Sequence, residues 1–553
     1  MLFGNRLLMQ KTCKITGLPF EISSREEEFC RRFDIPLPEI SPLERMRKLM
    51  ATRNEWKLYP RKCDATGDHI LSAYPEDSPF KVYKNEFWWG DQWEALDYGR
   101  DFDFNKPFFE QFRDLQLATP REGTTIFNSE NCDYNSHTRE SKNCYLNSLM
   151  YRGEDIYYSY WIVNDKDIYD SMYTYDSTLC SWCSDVKNGY QCIMLEEGND
   201  CNECCFSCQL RGCDHCIFCN NLANKSYYIF NKKVSKEDFE DLKKKLLDGS
   251  WQTWQKSTKQ YKEIRQRAKN RFVHNLQCEN VTGDHVYNSR NCENCFESFD
   301  SEDCFNSISL AGSKDVQNAY SAGWTGCEVC VHCAVIRACQ HCAFCTYTWY
   351  SSGMLYCDSC VSCENCFGCI GLRHKKNCIF NKQYSEKEYN ELLSKIIAHM
   401  KESGEWGQFF PPKLSHFPYN ETAAQNFYSL TREEAEKKGF RWREKDQKEY
   451  QPATILGIPD NIADISDEIL KETLACEDCG KNYRLIIQEL KFYRRTGLPV
   501  PRHCPECRHK MRFNTHNPCV LVERECKECG KEVESTYEKE DVYCEGCYLE
   551  TID

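Results

Sequence analysis

No apolar run in this 553-residue chain approaches the length of a membrane-spanning helix. Residues 1–30 lack the continuous apolar stretch of a secretory leader, because Leu7-Leu8-Met9 is bracketed by Arg6 and Lys11. Positive charge is also short. The formal net charge of −14 argues against a protein that coats itself in polyanion. No nucleotide fingerprint or other enzyme signature is present. These absences predict a cytoplasmic protein with reduced thiols and no membrane partner. The expectation matters because cysteine is abundant, at 40 residues or about 7% of the chain. In a reducing compartment such residues are metal ligands or small core side chains before they are disulfides.

The cysteines are periodic. Cys132, Cys144, Ile156, Ile168, Cys180, Cys192, Cys204 and Cys216 stand twelve residues apart and carry only Cys or Ile. Such a repeat predicts a β-solenoid with small inward side chains, in coils of twelve residues or in 24-residue coils with two equivalent sides. Strand alternation would then point Tyr145, Tyr157 and Tyr169 outward. A second array follows the rule with one residue dropped. Cys292, Cys304 and Val316 step by twelve, and Cys330, Cys342, Met354, Cys366 and Cys378 form a later column. Each array ends in a helix-capping signature, Ser235-x-x-Asp238 and Ser385-x-x-Glu388, predicting a helix over the last coil.

The C-terminal region carries the clearest chemistry. Cys476-x-x-Cys479 pairs with Cys504-x-x-Cys507, and Cys526-x-x-Cys529 with Cys544-x-x-Cys547. Two thiolates on a tight turn grip one side of a tetrahedral zinc, and a second pair closes it, so about two structural Zn2+ sites are expected. Sliding residues 13–67 onto 476–530 gives sixteen identities, among them Cys13, Glu26, Phe29, Arg31, Arg32, Arg45, Asn54 and Cys63. Thr16, Ser41, Glu44 and Thr66 replace the other ligands, so this copy is expected to be metal-free and held by packing. The aromatic run Phe87 to Trp93 and the helical stretch Pro107 to Leu115 would supply that packing, most simply against the first coil.

The arrays offer weaker signals. Cys201, Cys204, Cys213 and Cys216, and again Cys327, Cys330, Cys339 and Cys342, repeat a spacing that could gather four sulfurs around zinc or stack buried thiols as small hydrophobes. Asn or Asp precedes many interior positions, at Asn131, Asn143, Asp155, Asp167, Asn291, Asp303 and Asp315. Stacked carboxylates would suit a glycosidase pair, and a ladder of turn residues explains them as well. Two basic stretches interrupt the acidic background: residues 251–273, read as a solvated helix face, and 481–512, where Arg494, Arg495, Arg508 and Arg512 are candidate phosphate contacts.

Several segments together carry a family likeness: Leu58-Tyr59-Pro60-Arg61-Lys62-Cys63, Pro107 to Phe112, Asn365-Cys366-Phe367-Gly368-Cys369, Glu405-Trp406-Gly407, Pro418 to Thr422, and the treble-clef-like Cys476 to Arg508. The chain in this respect resembles an uncharacterised family of cysteine-rich zinc-ribbon proteins from environmental bacterial genomes. A CoA-transferase label goes with that family, but no motif here supports it. The expected fold is mainly β: two Cys-rich β-solenoid arrays with capping helices, flanked by zinc-ribbon or treble-clef-like α+β modules. Its divisions are a degenerate module (1–90), an aromatic connector (91–123), the first array (124–234), capping and basic linker helices (235–273), the second array (274–384), a capping helix (385–403), an extended strap (404–465) and a double zinc-ribbon module (466–553). The expected function is a non-enzymatic zinc-binding scaffold for RNA or a ribonucleoprotein. Protein partners alone, or a carbohydrate-active or metal-dependent solenoid enzyme, are the alternatives.

Overall fold

The computed structural model describes residues 9–132, 134–323, 326–444, 452–455 and 457–552, so Arg6, Leu7 and Leu8 of the leader test lie outside the described residues. The chain is mainly β, with 32% strand against 25% helix. Most strands belong to two large parallel sheets, one drawn from each Cys-rich array. Register follows the predicted period: Ile156 lies opposite Ile168, Cys205 opposite Ile217, Cys330 opposite Cys342, and Cys366 opposite Cys378. The step is twelve, not twenty-four. In the second array the irregularities are a step of eleven from Leu276 to Tyr287 and one of fourteen from Val316 to Cys330. Where one residue was expected to drop out after Val316, two are gained, the column passing from Val316 to Cys330, and the step of eleven lies at the start of the array, where it was not expected.

Simple strand alternation fails inside each coil. Every third residue is left-handed: Asn143, Leu146, Leu149, Arg152 and Asp155 have φ of 55°, 51°, 58°, 53° and 56°. Each twelve-residue period is thus divided into four three-residue segments, each marked by a left-handed corner. The residue after each corner faces inward, as Cys144, Asn147, Met150 and Ile156 do, and all four are buried. Left-handed backbone is unfavourable for most L-residues and least so for Asn and Asp. This preference accounts for the residues before the interior columns: Asn131, Asn143, Asp155, Asp167, Asn291, Asp303 and Asp315 are all corners. Each corner is held by its neighbours. Asn143 N–H donates to Glu130 O (3.0 Å) and Asp155 N–H to Lys142 O (3.1 Å), while Asn131 Nδ2 donates to Asn143 Oδ1 (3.0 Å).

Helices follow the arrays where the capping signatures put them. Ser235 accepts from Asp238 N–H ahead of Lys236–Leu246, and Ser385 forms a full capping box with Glu388 ahead of Glu386–Glu402. Phe239 and Tyr389 bury on their inner faces. The basic helix Trp251–Arg267 buries Trp254 and Ile264 and exposes Lys256, Lys259 and Lys262.

The N-terminal aromatics dock differently from expectation. Phe108 packs against Tyr356, Phe367 and Phe380, and Arg373 donates to Gly90 O and Trp93 O, so this segment closes mainly the second array, while Trp89 meets the first coil at Phe127 (5.6 Å). The reason is the short apolar end of that array, where Gly368 and Gly371 leave room for the Phe108 and Trp93 rings. The strap carries two short helices, Ala423–Phe427 and Arg432–Lys437, where an extended chain was expected. Among the described residues no helix is long and apolar enough to cross a membrane.

Candidate metal centres

The C-terminal region is built from two knuckles, each a short hairpin followed later by a helix. In the first, strands Leu474–Ala475 and Asn482–Tyr483 frame a turn in which Gly480 N–H donates to Cys476 O (2.9 Å) and Cys476 N–H to Lys481 O (3.0 Å). Gly480 has φ of 71°, which a side chain would strain. The turn places Cys476 and Cys479 together, while Cys504 and Cys507 come from the start of helix Pro505–Phe513. The second knuckle repeats this with Cys526 and Cys529 on a turn closed by Gly530, and Cys544 and Cys547 at the start of Glu545–Leu549. In each set the four sulfurs lie within 4.8 Å of one another. Cys479 Sγ is 3.8 Å from Cys504 Sγ, and Cys529 Sγ is 3.7 Å from Cys544 Sγ.

Electrostatics favour thiolate at the first cysteine of each set. Burial pushes the Cys476 and Cys526 thiols up, but backbone N–H groups, among them those of Cys504 and Cys544 respectively, outweigh it and bring both down to about 6. A metal ligand must be deprotonated, so the turn prepares its own donor. Both sets could therefore hold metal ions.

The N-terminal copy keeps the turns but only one sulfur in each, Cys13 and Cys63. Gly17 N–H donates to Cys13 O (2.8 Å) and Gly67 N–H to Cys63 O (2.9 Å), at φ of 71° and 76°. Ser41 caps helix Pro42–Met50 where Cys504 caps Pro505–Phe513, and its N–H donates to Cys13 Sγ (3.3 Å). Hydrogen bonds from Thr16 and Ser41 outweigh burial and hold the Cys13 thiol down at about 7. Glu44, at the fourth ligand position, is buried and ion-paired with Lys438 (2.8 Å).

The array cysteines sit in the interior columns. Cys201, Cys204, Cys213 and Cys216 each donate S–H to two carbonyls at 3.3–3.8 Å, and Cys330, Cys339 and Cys342 do so at 3.1–3.7 Å. Cys327 is buried beside them. Neither array set joins the groups whose ligand atoms converge among the described residues. Burial is also the first cause that lifts the Cys330 and Cys342 thiols well above their ordinary range. Their geometry is that of stacked buried thiols.

The candidate phosphate contacts require correction. Arg508 and Arg512 are 1% and 5% exposed. Arg508 lies over the Tyr158 ring at 4.4 Å, ion-paired with Asp170 and with Glu489 (3.2 Å), while Arg512 binds Asp170 Oδ1 (2.9 Å) and Tyr158 O (2.7 Å). Both guanidinium groups clamp the module onto the first array and cannot reach a phosphate. Arg494 and Arg495 are at the surface, paired with Asp467 (2.7 Å) and Asp167 (3.1 Å). Tyr157 and Tyr169 also belong to this contact. They point away from the array interior, yet each is 3% exposed because helix Ile487–Thr496 covers them, with Phe492 stacked on Tyr169 at 3.7 Å.

A further group escaped sequence reasoning. Asp185, Glu197, His274, Asp284, His285, Glu297 and His516 converge where both arrays meet the C-terminal module. They are scattered over more than 300 residues, and no spacing links them. No protein-family model matches the chain, and no curated protein matches it.

Proposed function

We propose that the protein is a non-enzymatic, zinc-stabilised interaction scaffold, with protein rather than RNA as its partner. The observation that carries this reading is the closure of the two four-cysteine sets. Tetrahedral Zn–S bonds of about 2.3 Å require sulfurs about 3.8 Å apart, which agrees with the 3.8 and 3.7 Å separations. Four protein ligands leave no position for water or substrate, so such an ion folds its treble-clef-like ribbon and does not catalyse. We take each array as a closed, four-cornered solenoid, a rigid body whose interior holds its cysteines reduced.

The choice of partner rests on charge. Arg508 and Arg512 are consumed in packing, Arg494 and Arg495 each face a carboxylate, and the chain is acidic overall at −14. Ladders of exposed corner residues such as Asn164 with Asp176 and Asn188 with Asp200 present polar faces suited to a protein surface. The test is binding of single-stranded and duplex RNA by the zinc-loaded chain across a salt series. Wild type and Arg494→Glu/Arg495→Glu are expected to behave alike, with no salt-sensitive affinity. Wild-type binding that the double variant weakens, with the salt slope falling by about 0.7 per lost contact on a single strand, would restore RNA as the partner.

A further inference from the structure

The seven-residue cluster arises from four separate parts of the chain. Asp185 and Glu197 lie on first-array strands Ser184–Lys187 and Ile193–Asn199; Asp284, His285 and Glu297 lie on second-array strands Gly283–Tyr287 and Glu293–Phe299. His274 follows the strand Asn270–Arg271, and His516 follows helix Pro505–Phe513. All seven side chains are at most 15% exposed.

The cluster divides into a half whose charges are paired and a half whose charges are less so. His274 is pinned between two carboxylates, Nδ1 to Asp284 (3.1 Å) and Nε2 to Glu197 (3.0 Å). Asp284 in turn accepts from His274 N–H (2.6 Å), His285 N–H (2.9 Å) and Thr536 Oγ1 (2.5 Å). Asp185, Glu297 and His516 form the other half, with ligand atoms within 4.8 Å of one another. Glu297 meets His516 Nε2 at 3.0 Å, but Asp185 comes no nearer to a cationic group than 3.8 Å, from His285 Nδ1, which is too long for a hydrogen bond. Beside them Tyr175 Oη is buried without a hydrogen-bond partner. Tyr175, Asp185, His285 and Glu297 line one cavity of about 210 Å³.

Charge points the same way. Four carboxylates meet three imidazoles and one nearby guanidinium, Arg265, which is 3.9 Å from Glu197 and already bound to Glu196 at 2.7 Å. With His274 and His516 protonated, the four carboxylates of the buried cluster still outnumber its two cations, since Lys187 and Arg211 at the cavity are exposed and Arg271 pairs with Glu545, and unpaired buried charge is costly. We propose that this cavity is a binding site for one divalent transition metal, held by Asp185, Glu297, His516 and His285, with a coordination position open to the cavity. Mixed imidazole and carboxylate donors suit Mn2+, Fe2+ or Zn2+ and differ in softness from the four-thiolate sets. Asp284, Glu197 and His274 are positioning residues, since Asp284 fixes the His285 backbone. Lys187, Arg211 and Arg271 also line the cavity, so water or a small anion completes the coordination sphere.

The proposal does not depend on the scaffold reading. Full-length protein, with its four-cysteine sites filled by zinc and excess metal removed, is titrated with Mn2+ alone and followed by electron paramagnetic resonance. One equivalent of bound Mn2+ is expected while zinc stays at two. Asp185→Asn and Glu297→Gln should each weaken Mn2+ at least tenfold with zinc content unchanged, which verifies that the variants fold. Wild type that takes up no ion beyond the cysteine-bound pair, whatever the variants do, overturns the proposal. So does retention of full Mn2+ affinity in both folded variants.

Discussion

The two ends of the chain are one design with and without a full set of sulfurs. Cys13 and Cys476 occupy the same glycine-closed turn, and each is followed by a helix, Ser24–Arg32 or Ile487–Thr496. Each then buries the same ion pair, Glu26 with Arg45 or Glu489 with Arg508. Each docks on an array through a corner aspartate, Arg32 on Asp315 (3.5 Å) and Arg495 on Asp167 (3.1 Å). The difference in how the knuckles close is sharpest at the last one, because the Cys476 knuckle also has an apolar core, with Leu474, Leu490, Phe492 and Tyr493 buried around it. The N-terminal pair relies on apolar side chains: Phe29, Met46, Leu49 and Met50 join the core under Phe108, and Tyr74, Phe80, Val82 and Trp88 bury around Cys63. The last knuckle buries only Val542, Tyr537 and Tyr548 beside its cysteines and leaves Cys529 exposed. The lesson is that a turn and an ion pair specify the module, and either a core or a metal can stabilise it.

The widest separation between the ends should come from removing metal. Structural zinc contributes about 10–16 kcal/mol to small knuckles. Cys504→Ser with Cys544→Ser should therefore lose both ions and unfold residues 466–553, while the N-terminal module and the arrays keep their protection in limited proteolysis. Equal loss of protection at both ends would show that the N-terminal knuckles also depend on an ion. The converse experiment restores sulfur. Thr16→Cys/Ser41→Cys/Glu44→Cys should bind one additional ion by elemental analysis, because the turn and the helix start already stand in place. Failure to gain an ion in a folded variant would mean that the two backbones are less alike than their hydrogen bonds indicate.

A smaller effect tests the shared ion pair. Arg508→Met removes the cation from Glu489 and leaves Asp170 with Arg512 as its remaining partner, whereas Arg45→Met strands Glu26 alone. Removing one partner of a buried pair costs about 3–5 kcal/mol, so both variants should fall in that range on denaturant unfolding, with Arg508→Met at its upper end. If Arg508→Met is neutral, the clamp on Asp170 contributes nothing to docking.

The twelve-residue period was legible because the interior admits few side chains, leaving columns such as Cys204 and Cys216. The three-residue sides were written less plainly. Asn143 and Asp155 mark corners, but Leu146, Leu149 and Arg152 adopt the same left-handed backbone without any propensity for it, since the neighbouring coils impose it. Arg508 was misread for a related reason. Its identity with Arg45 between the copies could mean shared binding or shared packing, and only the fold places Asp170, on the first array, beside it. The His and carboxylate cluster had no sequence signal at all, because topology alone brings Asp185 to His516.

The smallest expected effect lies in the thiol at the heart of the sulfur-poor knuckle. Cys13 is held down at about 7 from an ordinary value of 9.0, because hydrogen bonds from Thr16 and Ser41 favour its thiolate more than burial opposes it. A group whose folded pKa is depressed stabilises the fold above its unfolded pKa and loses that contribution as pH falls through the folded value. The Cys13 term is therefore full above pH 9, shrinks between 9 and 7, and is absent below. Its size is about 1–2 kcal/mol, because Cys13, although only 1% exposed, lies under a thin cover and is partly screened by solvent. Cys13→Ser should flatten this part of the stability profile and leave stability near pH 6 almost unchanged. Cys205, which burial lifts to about 12, provides the opposite control, since it stays protonated throughout the window. An unchanged profile in Cys13→Ser would mean that the Thr16 and Ser41 bonds do not favour the thiolate, and that the knuckle is held by its turn and its core alone.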